Sequence, residues 1–179
     1  PPFFQNYVLI FTNFGILRYV TNSVVVTVAA LVIATVASTM AAYIFGRLRY
    51  HFRLREPLFN LIFLSMMFPP QITLLSLFQI LVNYRLYNTL WGLIFVYAAS
   101  ALPLNIFLIK TFFSQIPQDI EDACQMDGAN DWQMFWKVMF PIARPIIATT
   151  IVFNFITFWN EFLYAVTFVS KQESRTLPL

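Results

Sequence analysis

Five carboxylates crowd into one short window: Asp119, Glu121, Asp122, Asp127 and Asp131 all fall within residues 116–131, and the whole 179-residue chain has only eight. Carboxylates in that number are suited to meeting basic or amide donors on a partner, where charge-assisted hydrogen bonds are the stronger kind. A second polar group is Trp159-Asn160-Glu161, set inside an apolar run. Intramembrane carboxylates are costly and mark function by default. An aromatic beside an amide and a carboxylate can stack on a sugar ring and hydrogen-bond its hydroxyls; the same residues could equally be an anchor at the outer interface. Other chemistry is missing. Four glycines and no Gly-Lys-Ser/Thr leave no Walker loop, so ATP is not bound by this chain. His51 is the sole histidine and stands in a basic loop away from the carboxylates, which excludes a Ser-His-Asp arrangement and a metal cluster. Cys124, the sole cysteine, excludes an intrachain disulfide. No enzyme is legible here.

The acidic window lies between long apolar runs, so it is a water-exposed loop joining two membrane spans. It has a helical pattern of its own. Pro117 suits a first helical position, and Asp119, Glu121 and Asp122 favour the positive end of a helix dipole. Ile116, Ile120, Ala123 and Cys124 fall on one face. Gly128 is the stop, because glycine enters the left-handed conformation at no steric cost. Asn130 with Gln133 reads as a capping pair for a second helix. That helix carries Trp132, Phe135, Trp136, Met139 and Phe140 on one stripe and is expected to end at Pro141. Helix, glycine turn and second helix together form an element built to dock.

The elements around it are membrane spans. The chain is 59% hydrophobic and 11% charged, with the charges gathered into islands. Its net charge of +3 sits beside spans rather than along one face, which argues against nucleic acid. Residues 1–19 mix aromatic and polar side chains and suit an interfacial segment. Four spans are expected: residues 20 to about 45, 58–82, 89–113 and 142–168. The second is interrupted by Pro69-Pro70-Gln71, which fits either a translocation path or a packing kink. The third carries Asn105 near its middle, and a polar tail follows residue 170. Arg47, Arg49, Arg53 and Arg55 mark the cytoplasmic side, with binding of anionic lipid or a partner as the alternative use. Seven basic residues lie on the side of the docking loop and four on the other, which places 46–56 and 114–141 in the cytoplasm. The start carries no methionine and no basic segment of a signal peptide, so a fragment is expected, with a further span at each end.

The docking stretch resembles the cytoplasmic signature loop of permease subunits in bacterial ABC importers. That family's pattern is Glu-Ala-Ala, three residues, Gly, nine residues, Ile, one residue, Leu-Pro. Here Asp122-Ala123-Cys124, Gly128, Val138 and Phe140-Pro141 fill it at the same spacings, with mild substitutions. Ile116-Pro117 with Asp127-Gly128-Ala129 is similar to the carbohydrate branch, the subunits like the smaller maltose-importer permease.

The resemblance implies an all-α polytopic permease domain of the type I importer kind over 1–179, with the coupling loop at 114–141. It implies coupling to a separate ATPase, which uses ATP and Mg, through Asp119, Glu121, Asp122, Ala123, Cys124, Asp127, Gly128 and Ala129. It also implies a second permease, identical or different, that completes the pore, an extracytoplasmic solute-binding protein, and a surrounding inner membrane. Gln71, Asn105, Trp159, Asn160 and Glu161 are the candidates for lining a solute path with that second permease. The competing assignment is a secondary transporter or channel with Glu161 binding a coupling ion. The loop discriminates, since such a transporter needs no acidic helical hairpin there.

Overall fold

Valine, alanine and threonine dominate the first apolar run, and they form one uninterrupted helix, α1, Ile16–Gly46. Its 31 residues extend about 46 Å at 1.5 Å each, more than a bilayer core requires. The computed structural model describes residues 16–47 and 52–179. Residues 1–15 of the interfacial segment expected over 1–19, together with Arg49 and His51, lie outside those residues, and residues 16–19 belong to α1. The remaining helices are α2 Arg55–Ser65, α3 Pro70–Asn83, α4 Leu90–Gln115, α5 Gln118–Met126, α6 Asp131–Ile142, α7 Arg144–Trp159 and α8 Leu163–Phe168. No strand occurs among the described residues. The chain is an all-α membrane protein: α1 and α4 are each long and apolar enough to cross a membrane, and two bent pairs, α2 with α3 and α6 with α7, bring the total to four if each pair counts as one span.

The second span is broken at its prolines, as expected, and the fourth is broken where a continuous helix is expected. Pro69 and Pro70 end α2 and start α3, as proline's missing donor requires. The fourth span is not one helix over 142–168. It stops at Trp159 and restarts at Leu163. The reason is local: Asn160 Nδ2 donates back to the Ile156 carbonyl at 2.7 Å, satisfying the end of α7. The Glu161 carboxylate accepts from the Tyr164 and Ala165 backbone N–H groups at 3.0 and 3.2 Å, capping the start of α8.

The chain clusters into two compact units. The first comprises Pro70–Ala99, Phe155–Leu179 and the described part of Pro1–Leu31. Its tail is not loose. Asn22 Nδ2 of α1 donates to the carbonyls of Glu173 and Arg175 at 2.9 and 2.8 Å, and the Leu177 N–H donates to Ser23 Oγ at 2.7 Å. The tight turn after α3 is held by Asn88, whose side-chain oxygen accepts from the N–H groups of Ser170 and Lys171.

The second unit comprises Ser100–Asn154 and the described part of Val32–Pro69. Its core forms where the end of α1 meets the end of α4. At Gly46 a Cβ would stand 2.9 Å from Phe113 Cβ and 3.1 Å from the Lys110 carbonyl, so only glycine permits that approach. Tyr43 packs its ring against Phe113 and Phe135 at 5.5 and 5.1 Å. Met134, Met139 and Ala143, all fully buried, complete this core from α6 and the residue after it.

Candidate functional site

Helix α4 ends at Gln115, and Pro117 stops its ladder from continuing because it has no N–H to offer the Phe113 carbonyl. At the point where α5 begins, the Phe113 carbonyl accepts only a 3.3 Å bond from the Ile116 N–H in place of a regular helical one. Arg47, one residue past α1, fills this gap. Its Nη1 donates to the carbonyls of Phe113 and Ile116, at 2.8 Å each. Its Nε meets Glu121 Oε1 of α5 at 2.6 Å, and its Nη2 lies 3.4 Å from Gln118 Oε1. Gln118 Nε2 in turn donates to Glu121 Oε2 at 3.2 Å. Arg47 and Glu121 are both buried.

Helix α5 ends as its sequence requires. Gly128 has φ +75°, the left-handed region. The Ala129 N–H donates to the Cys124 carbonyl at 3.0 Å and the Gly128 N–H to the Gln125 carbonyl at 2.9 Å, the paired bonds of a Schellman turn. Asn130 and Gln133 then exchange bonds, 2.8 Å from the Gln133 N–H to Asn130 Oδ1 and 3.2 Å from the Asn130 N–H to Gln133 Oε1. The second helix differs from expectation. Pro141 does not end it; α6 continues to Ile142 and then meets α7 at a bend of 71°. A π-helical turn at Phe135–Met139, closed by the Phe140 N–H on the Phe135 carbonyl, lets the helix widen just before the proline that lacks a donor.

The eight residues assigned to coupling divide into three groups. Asp119, Asp122, Ala123, Asp127 and Gly128 are exposed on the outer face of α5 and its turn. Cys124 and Ala129 are half-buried and, with Asp127, Gly128, Gln133, Lys137 and Val138, line a cavity of about 250 Å³ between the two helices of the hairpin. Glu121 is the correction. Expected to face a partner with its neighbours, it is 0% exposed and held by Arg47. The apolar face is rotated accordingly: Ala123, placed on it by spacing, is exposed, and Glu121 takes the inner position instead. Arg47, read as one of four orientation charges, is the residue holding Glu121 and the end of α4 that spacing missed. Only the glycine before it set it apart from Arg53 and Arg55. Arg53 is exposed, and Arg55 donates to the Phe45 carbonyl at 2.5 Å. The hairpin also exposes Trp132 and Trp136, whose rings meet edge-on at 5.6 Å.

The candidate path residues are engaged separately. Asn105, in the second unit, accepts from Asn154 Nδ2 at 3.1 Å, a buried amide pair between α4 and α7. Gln71 is exposed at the start of α3. Trp159 stacks on Phe155 at 5.7 Å. Asn160 and Glu161 are the helix caps already described, and Tyr97 Oη adds a further bond to Glu161 Oε2 at 3.0 Å.

Residues 34–178 match the family described as binding-protein-dependent transport system inner membrane component. The chain is 37% identical over 174 residues to the diacetylchitobiose uptake system permease protein NgcG of Streptomyces coelicolor, covering 97% of this chain and 57% of that one. It is 36% identical over 176 residues to the trehalose transport system permease protein SugB of Mycobacterium tuberculosis, covering 98% and 64%. Against the trehalose/maltose transport system permease protein MalG of Thermococcus litoralis the identity is 33%, covering 90% and 57%. Among solved structures it resembles a chain in the crystal structure of a bacterial ABC transporter involved in the import of the acidic polysaccharide alginate, with TM-score 0.86 and 26% identity over 98% of this chain and 60% of that one. The chain thus spans less than two thirds of the length of these relatives.

Proposed function

The chain belongs to the family of binding-protein-dependent transport system inner membrane components, and from that premise we propose that it is a permease subunit of an ATP-driven importer for a saccharide or related solute. A separate subunit binds ATP and Mg and hydrolyses the nucleotide, since this sequence has no Gly-Lys-Ser/Thr loop to cradle phosphates. That subunit docks on α5. The observation that carries this assignment is the division of carboxylates on one short helix. Glu121 is neutralised within the chain, while Asp119, Asp122 and Asp127 stand exposed around a Schellman turn. Exposed carboxylates on a helix this short are acceptors for basic or amide donors on a partner surface.

A second permease, identical or different, completes the path. An extracytoplasmic binding protein delivers the solute, and lipid covers the exposed valines and phenylalanines of the spans. Residues 46–56 and 114–141 face the cytoplasm, supported by seven basic residues against four. The saccharide class is supported by the diacetylchitobiose, trehalose and maltose in the relatives' names. Closure of the ATPase subunits shifts α5 and switches the permease between inward- and outward-open states.

A secondary transporter or channel using Glu161 as its ion site is less well supported. The Glu161 carboxylate already accepts from Tyr164, Ala165 and Tyr97. The test is to purify the tagged full-length chain in mild detergent and identify what accompanies it. Co-purification of an ATP-binding subunit and a second permease is expected. Isolation of the chain alone, with ion-driven uptake that needs no ATP after reconstitution, would overturn the assignment.

A further inference from the structure

We propose that Arg47 is the positioning residue that makes α5 move as one body with the adjoining ends of α1 and α4, so that displacement of the docking helix reaches the spans instead of being absorbed at the Ile116-Pro117 break. This rests on the assignment of α5 as the ATPase dock. The junction is a natural hinge. Pro117 interrupts the backbone ladder at the N-cap of α5, and α5 stops at its own Schellman turn. Left alone, a helix pushed from outside would swing there, and the push would be lost.

The guanidinium removes that freedom. Four of its five N–H groups tie two elements together: Nη1 reaches the Phe113 and Ile116 carbonyls on either side of the α4 end, and on α5 Nε reaches the Glu121 carboxylate and Nη2 the Gln118 amide oxygen. Swinging α5 away from α4 therefore breaks an ion pair between two buried charges and leaves the Arg47 guanidinium buried without its carboxylate. The near end of the lever is equally fixed. Gly46 seats α1 against Phe113 and Lys110 at a distance no side chain allows, and Tyr43 wedges its ring between Phe113 and Phe135. Arg47 thus stands one residue beyond a tightly registered contact and cannot follow α5 by itself. Lysine could keep the charge but not the planar fork that spans carboxylate and carbonyls together.

The test uses the full-length permease in its assembled importer. Spin labels are placed at Ile44→Cys on α1 and Gln125→Cys on α5, in a Cys124→Ala background, and their separation is measured nucleotide-free and after vanadate trapping with Mg-ATP. With Arg47 and Glu121 intact, one narrow distance that does not change on trapping is expected. With Arg47→Lys or Glu121→Gln, the distribution should broaden or shift on trapping while ATP hydrolysis continues. An unchanged distance in both variants would overturn the proposal, as would a shift in the protein with the joint intact. If no ATP-binding subunit accompanies the wild-type chain, the docking assignment fails separately. The label pair in the permease alone then still reports whether Arg47→Lys loosens α5 from α1.

Discussion

Arg47 and Glu121, seventy-four residues apart in the chain, meet at 2.6 Å with side-chain exposures of 3% and 0%. One residue ends a span and the other begins the inner face of the docking helix. Their pairing turns a loop between spans into a rigid extension of them. A buried pair of this kind stabilises little against an apolar replacement of both partners, but removing one partner leaves an uncompensated charge.

Single replacements at the pair should therefore cost much more than their shape implies. Glu121→Leu should destabilise by about 3–5 kcal/mol. Arg47→Met should cost at least as much, because the Ile116 carbonyl also loses the Arg47 donor and the Phe113 carbonyl keeps only the Ile116 N–H. The double variant should be less destabilised than the sum of the two, read from thermal unfolding of the complex in detergent. Strict additivity would show that the two charges do not depend on each other.

At Gly128 the cost is conformational alone. Nothing lies within 4 Å of a Cβ built there, so a Cβ meets no clash, and the left-handed φ is the difficulty. Gly128→Val should cost of order 1–2 kcal/mol and redirect α6, while Gly128→Asn, which tolerates that region, should cost less. ATP hydrolysis stimulated by solute-loaded binding protein should fall in the same order. Equal effects of Val and Asn would mean that backbone conformation is not the cause.

Glu161 behaves as a cap. Glu161→Gln should destabilise by about 0.5–2 kcal/mol through weaker capping of α8, and it should leave the order of preference among the saccharides tested unchanged. A variant of undiminished stability with altered preference would return this residue to the solute path.

How much of this was legible in the sequence depends on how far each signal reaches along the chain. The Schellman turn at Gly128 and the capping box of Asn130 and Gln133 follow from residues within a few positions of one another, and both are present as read. The break at Asn160 and Glu161 was equally local, yet those polar residues suggested sugar chemistry because hydrophobicity alone carries the helix through to 168. Glu121 could not be read. It flanks the apolar stripe beside Cys124, and whether a flanking carboxylate turns inward depends on a cation from another element. That cation, Arg47, has no neighbour in sequence that names its partner. Pro141 misled for a similar reason, since the π-helical turn that accommodates it depends on packing of Phe135 and Met139 in the core.

Sidedness follows from the charge count. A cysteine at Arg53 should react with an impermeant thiol reagent only from the cytoplasmic side, and one at Lys171 only from outside, both positions being exposed. The opposite labelling would place α5 on the wrong face of the membrane for any cytosolic ATPase.

The central claim is that the exposed face of α5 binds the ATPase, and Asp122 is its most direct probe. It fills the glutamate position of the signature loop and is exposed, whereas its neighbour Glu121 is not. Asp122→Lys sets a cation against the donors its carboxylate had met. The measurement is the amount of ATP-binding subunit retained by the purified full-length permease, together with hydrolysis stimulated by solute-loaded binding protein. Wild type should retain the subunit and respond to solute; Asp122→Lys should lose the subunit or the response while the permease itself melts at an unchanged temperature. A variant that retains both would contradict the assignment of α5 as the dock.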